Sequence, residues 1–252
     1  MKIIRYEKDG KVYYGELKDE RVERLTGDIA DGFVSTGEYC KLSEVKLLAP
    51  TLPTKAVCVG LNYLDHIHES NEKVPESPVI FIKPSTAVIG PEDAILYPSL
   101  SKRVDYEGEL AIVIGKKATD VRQEDAGKYI LGYTCANDVT ARDLQPADGQ
   151  WSIAKGFDTF LPLGPCIDTD VDPDALEICT ELNGNCVQCS NTKYLLFKPE
   201  MLVSYLSSIM TLLPGDVILT GTPSGIGGMQ VGDTVSVRIG GIGTLKNVIK
   251  AK

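Results

Sequence analysis

The chain has 252 residues, 43% hydrophobic and 24% charged, which suffices for one large domain with a core and a site of its own. A formal charge of -9 leaves no basic patch to neutralise phosphates, which excludes nucleic acid as a partner and means that an anionic substrate needs a local positive centre. No apolar stretch approaches the roughly 20 residues of a membrane span, the N-terminus has no apolar signal region, and the seven scattered cysteines read as reduced thiols; a cytoplasmic protein without a membrane partner is expected.

Residues 1–14 predict a strand, a turn at Lys8-Asp9-Gly10 and a returning strand, KVYYGEL. Pro50 and Pro53 in APTLPTK mark a boundary, so a small β-rich domain over 1–50 and a main domain over 51–252 are expected. In the main domain AVCVGLN, PVIFIK and AIVIG read as buried strands, and LDHIHESNEKVPES as a short exposed helix plus a loop. ATDVRQEDAGKYI contains a short helix, and LGYTCAND is a strand leading into polar residues. ICTELNGNCVQCSNT reads as a hairpin turning at Asn183-Gly184. Its Cys186 and Cys189 have CxxC spacing, but a zinc ribbon needs a second such pair and the sequence has none. KPEMLVSYLSSIMTLL is the one clear amphipathic helix, with Met201, Leu202, Tyr205, Leu206, Ile209 and Leu212 at helical spacing. Many short strands and few helices predict a mixed, β-rich α+β fold, rolled or barrel-like, rather than a doubly wound nucleotide-binding fold.

RVDYEGELAIVIG sets Asp105, Glu107 and Glu109 at alternate positions ahead of an apolar run. On a strand they share one face, neighbours roughly 6.5–7 Å apart. Either water solvates this acidic end at a sheet margin, or something positive sits there. With Asp138, at the end of LGYTCAND, Glu107 and Glu109 would form three carboxylates converging from two strands, an oxygen-only set suited to a hard cation. His66 and Glu69 are three apart, so on a helix they share a face; there the carboxylate would make the imidazole a better base, unless both are simply solvated. His68 points elsewhere. If a short helix follows Asp138, Arg142 and Gln145 project from its side too. Lys155 lies among small and aromatic residues, where desolvation would adjust its pKa. LTGTPSGIGG lacks the P-loop lysine and the GxGxxG spacing, so no nucleotide is expected; a carboxylate held by Thr222 and backbone amides is the better fit.

In succession, GLNYLDHIHE, DYEGELAIVIG, GYTCANDVTARDLQ, KGFDTFLPLGP, ELNGNCVQ and LPGDVILTGTPSGIG closely resemble the motifs of the fumarylacetoacetate hydrolase family, over about residues 55–250. The resemblance implies a mixed β-roll, a homodimer, and one Mg²⁺ or Mn²⁺ per subunit held by Glu107, Glu109 and Asp138, with Asp105 outside that cage. It implies that His66 and Glu69 activate water, that residues 65–76 form a lid, and that Arg142, Gln145, Lys155 and Thr222 line the site of a small 2-oxo acid. The expected activity is C–C bond hydrolysis of acylpyruvate-type substrates through a metal-stabilised enolate. Oxaloacetate decarboxylation and 2-hydroxyhepta-2,4-diene-1,7-dioate isomerisation are alternatives for the same site, and a metal-binding protein without activity is the alternative of another class.

Overall fold

A computed structural model of the chain describes residues 1–147 and 149–252. Among them, most of the ordered backbone is strand, arranged in three sheets that do not close into a barrel. The largest sheet runs from the N-terminal meander (Lys2–Lys8, Lys11–Lys18, Arg21–Asp28, Gly32–Lys41) through Leu161–Asp168, Ile130–Asn137, Gly108–Ile114, Val217–Leu219 and Ala56–Gly60 to Val79–Lys83. The meander continues this sheet directly, since Lys2 pairs with Asp168 and Ile3 with Ile167.

The strand Gly108–Ile114 explains the apolar run of the sequence. Every one of its residues is buried. Leu110, Ile112 and Ile114 face one core, with Val57, Leu202 and Leu206, while Ala111 and Val113 face another, with Ile3, Leu161 and Leu163. A strand covered on both faces needs no polar alternation. Burial at about 25 cal/mol per Å² of apolar surface on both sides anchors it firmly.

The predicted amphipathic helix is Pro199–Ile209, shorter than the pattern suggested. Pro199 starts it, as a missing N–H costs nothing in the first turn. Leu202, Val203 and Leu206 are buried against the sheet, whereas Leu212 lies past the helix in a bridge to Ala118. The helix Leu64–Glu69 was expected to be exposed, but it buries His66 and Ile67. ATDVRQEDAGKYI yields a 3₁₀ run, Gln123–Tyr129. Among the described residues no helix is long and apolar enough to cross a membrane.

Candidate metal centre

The row of three acids predicted for residues 105–109 is broken in the structure. Val104–Tyr106 belongs to a small three-stranded sheet, where Val104 pairs with Ala141 and Asp105 with Thr140. Gly108–Ile114 belongs to the large sheet. The chain changes sheets at Glu107, so Asp105 is carried away from the other two. Asp105 is fully buried and held by two arginines, Arg103 Nε at 2.8 Å and Arg142 Nε at 2.9 Å. These two ion pairs balance its charge.

Glu107 and Glu109 meet Asp138 through strand register. Glu109 pairs with Ala136 and Gly108 with Asn137, which sets Asp138 beside Glu107. The Asp138 N–H donates to the Glu107 carbonyl at 2.8 Å, and the Glu107 N–H donates to Asn137 Oδ1 at 2.9 Å. Carboxylate oxygens of Glu107, Glu109 and Asp138 then lie within 4.8 Å of one another, and all three residues are buried. Buried like charges at such spacing need compensation.

Part of it comes from side chains. Lys155 Nζ bridges Glu107 at 2.9 Å and Asp138 at 2.6 Å, and rests 5.0 Å from the Phe81 ring centre. Burial pushes the Lys155 ammonium down, but Asp138 and Glu107 outweigh it and hold it above its ordinary range. Glu107 also takes a hydrogen bond from Arg142 Nη2. Burial raises this carboxyl, yet Lys155, Arg142 and His66 win and hold it well below its usual range. Lys83, which the sequence reading did not single out, is fully buried and donates to Asp138 Oδ1 at 2.5 Å and to the Val139 carbonyl at 2.9 Å. Burial holds Lys83 below its ordinary range.

Glu109 fares differently. Its Oε2 accepts the Gly221 N–H at 2.6 Å, but burial and the carboxylates of Asp138 and Glu107 hold it well above its usual range. A divalent cation among the three acids would relieve that repulsion, and an all-oxygen donor set is what Mg²⁺ or Mn²⁺ takes. The residues therefore fit such an ion.

A cavity of about 360 Å³ opens over this cluster. It is lined by His66, Arg142, Gln145, Lys155 and Thr222 in addition to the three acids, so the predicted residues converge. Glu69 reaches the site through His66, whose Nδ1 is 3.3 Å from Glu69 Oε2. The backbone N–H of Gly225 donates to Glu69, and Ser224 Oγ donates to Asp65, tying this helix to the Gly-rich turn. Arg142 and Gln145 do not project from a helix after Asp138. A short strand and a 3₁₀ turn, Arg142–Leu144, follow instead, and Arg142 Nη1 donates to Gln145 Oε1 at 2.5 Å. The Gly-rich turn spends its Gly221 N–H on Glu109. The Thr222 hydroxyl donates to the Gly108 carbonyl at 3.0 Å and accepts from Gln188 Nε2 at 2.9 Å.

Residues 55–250 match the family model "Fumarylacetoacetate (FAA) hydrolase C-terminal". The chain belongs to the fumarylacetoacetate hydrolase family. Residues 1–50 match a second model, "Rv2993c-like, N-terminal". The chain is 46% identical over 219 residues to the mitochondrial oxaloacetate tautomerase Fahd2a of Rattus norvegicus, covering 82% of this chain and 70% of that one. The structure of 5-carboxymethyl-2-hydroxymuconate delta-isomerase from Mycobacterium smegmatis superposes over the full length of both chains, with a TM-score of 0.94 and 46% identity. Maleylpyruvate hydrolase from Sphingobium sp. SYK-6, solved with manganese(II) and pyruvate, superposes over 100% of this chain and 99% of that one, with a TM-score of 0.83 and 27% identity. The family thus includes tautomerases, isomerases and hydrolases.

Proposed function

We propose that this protein is a divalent-metal-dependent enzyme that moves a proton at the carbon next to the 2-oxo group of a small 2-oxo dicarboxylic acid, interconverting keto and enol forms. The observation that carries this reading is the His66–Glu69 pair at the mouth of a cavity floored by three buried carboxylates. Relatives named for proton-transfer reactions share 46% identity with the chain, against 36% for a fumarylacetoacetate hydrolase from Exiguobacterium antarcticum and 27% for the maleylpyruvate hydrolase.

Glu107, Glu109 and Asp138 would hold Mg²⁺ or Mn²⁺, which when bound supplies positive charge to oxygens of the substrate. Glu69 orients the His66 imidazole through Nδ1, which leaves Nε2 to take or return the substrate proton. Lys155, kept an ammonium, fixes Glu107 and Asp138 and adds positive potential to the floor of the cavity. Arg142 braces Glu107 from the other side and positions Gln145 along the wall. The active species on this reading is a homodimer, which a solution mass of twice 27.3 kDa would support.

A second reading is C–C hydrolysis of acylpyruvates, favoured because the same imidazole can activate water. Chelator-stripped protein, with Mg²⁺ or Mn²⁺ restored, separates the two. Faster decay of enol-oxaloacetate absorbance with no carbon lost supports tautomerisation. Release of acetate and pyruvate from acetylpyruvate as the dominant turnover supports hydrolysis. The variant His66→Ala is expected to lose 10²- to 10⁴-fold in rate, an order-of-magnitude range typical of a general base, while still binding Mn²⁺; retained activity would remove His66 from the chemistry.

A further inference from the structure

Strands Glu177–Leu182 and Asn185–Asn191 form the predicted hairpin at one edge of the five-stranded sheet. Asn183 and Gly184 both have positive φ, 52° and 79°, as a tight hairpin turn requires. Cys179 and Cys189 are direct cross-strand partners, and their Sγ atoms are 3.0 Å apart. Residues three apart on a regular strand point to opposite faces, so Cys186 ought to turn away from Cys189. It does not, because the register slips. Thr180 pairs with Gln188 but Glu181 pairs with Cys186, which leaves Val187 over as a bulge. The extra residue returns Cys186 to the face of the other two cysteines, and the three sulfurs lie within 4.8 Å of one another. Cys179 is buried, while Cys186 and Cys189 are exposed. Gln188 faces the other way, where it donates to Thr222 Oγ1 and the Pro223 carbonyl. The sulfur cluster and the carboxylate cavity therefore lie on opposite sides of this strand.

A disulfide would use two of the three sulfurs and gain nothing from the bulge. A soft cation uses all three. Thiolates bound at ~2.3 Å to one Zn²⁺ stand roughly 3.8 Å apart, so Cys179 and Cys189, now 3.0 Å apart, would open by a side-chain adjustment within a cluster that spans no more than 4.8 Å. Sulfur ligands select soft cations, just as the oxygen cage selects hard ones.

We propose that Cys179, Cys186 and Cys189 form a second metal site, a trithiolate that binds one d¹⁰ cation of the Zn²⁺ or Cu⁺ class at the edge of the fold. Binding exchanges three S–H protons, released to solvent, for three metal–sulfur bonds, with no change of oxidation state. Water completes the coordination on the exposed side.

The test titrates reduced, chelator-stripped, full-length protein with Cd²⁺ under anaerobic conditions. Cd²⁺ serves as the d¹⁰ probe because its thiolate charge-transfer absorption reports sulfur ligation directly. With excess Mg²⁺ present to occupy the carboxylates, the expected result is a charge-transfer band that saturates at one sulfur-bound Cd²⁺ per chain, with three thiols protected from alkylation. Cys186→Ser and Cys189→Ser, both at the surface, keep the circular dichroism of the parent and weaken binding by at least about tenfold. Glu109→Gln, which removes one carboxylate of the proposed cage, leaves the strength of the charge-transfer band unchanged. Absence of the charge-transfer band overturns the proposal, as does a band of full strength in the Cys186→Ser/Cys189→Ser double variant. Reduced protein that takes up no Cd²⁺ but closes a Cys179–Cys189 disulfide with peroxide would also overturn it, in favour of a redox pair.

Discussion

Glu109 and Lys83 show how far a residue's type underdetermines its role. Glu109 is a buried carboxyl whose neighbours oppose its ionisation, so its amide analogue suits the metal-free fold at least as well. Glu109→Gln is expected to leave the metal-free melting temperature unchanged or higher, and to abolish the rise that Mn²⁺ produces by mass action. Calorimetric scans with and without Mn²⁺ check both halves; an undiminished Mn²⁺ shift would remove Glu109 from the cage. Lys83 was invisible in VIFIK, because a lysine at a strand end ordinarily reaches water. Here it is fully buried against Asp138, fifty-five residues away in sequence. Lys83→Met strips one cation from a buried carboxylate that Lys155 still holds. A loss of about 3 kcal/mol, the low end for breaking a buried pair, is expected in urea unfolding, and a change below about 0.5 kcal/mol would show that Lys155 suffices alone.

At the scale of elements, the decisive feature is the short link between two sheets. Gly108 sits between two of the carboxylates and under the hairpin, and a Cβ there would meet Thr180 Oγ1 at 2.1 Å and Val237 Cγ1 at 3.3 Å. Its N–H donates to Gln188 Oε1 at 3.0 Å and its carbonyl accepts from Thr222. The sheets can approach this closely only because residue 108 has no side chain. Gly108→Ala is therefore expected to cost about 1–3 kcal/mol through overpacking and to weaken Mn²⁺ binding together with stability. A variant equal to the parent in both would mean that the hairpin yields freely. The buried strand was legible from its apolar run, Leu110 to Ile114. The change of sheet at Glu107 was not, since VDYEGEL carries no proline or polar turn to announce it.

For the whole molecule, the N-terminal meander is structural support for a site to which it contributes no cavity-lining residue. Ile3, Ile4, Tyr6 and Val22 are buried, and the Met1 amine donates to Thr169 Oγ1 at 2.9 Å. Deleting residues 1–50 would strip these contacts and bare the backbone at the Ile167–Asp168 end of the strand Leu161–Asp168. The fragment 51–252 is expected to aggregate or to unfold without cooperativity, judged by size-exclusion chromatography and denaturant titration. A monodisperse, cooperatively folding fragment would show that the main domain is self-sufficient.

What could be read along the chain was the stock of functional groups: carboxylates at Glu107, Glu109 and Asp138, an imidazole at His66 with Glu69 three residues on, and strands apolar enough to bury them. The sequence also carried the family, through six motifs in order. Tertiary structure alone decided which charges meet. It withdrew Asp105 to two arginines, brought Lys83 to Asp138, engaged Thr222 and Gly221 with the protein itself, and gathered three cysteines on one face. The physical reason is that ion pairing and burial depend on strand register between segments far apart in the chain, and a single slipped residue moves a side chain to the opposite face of a sheet.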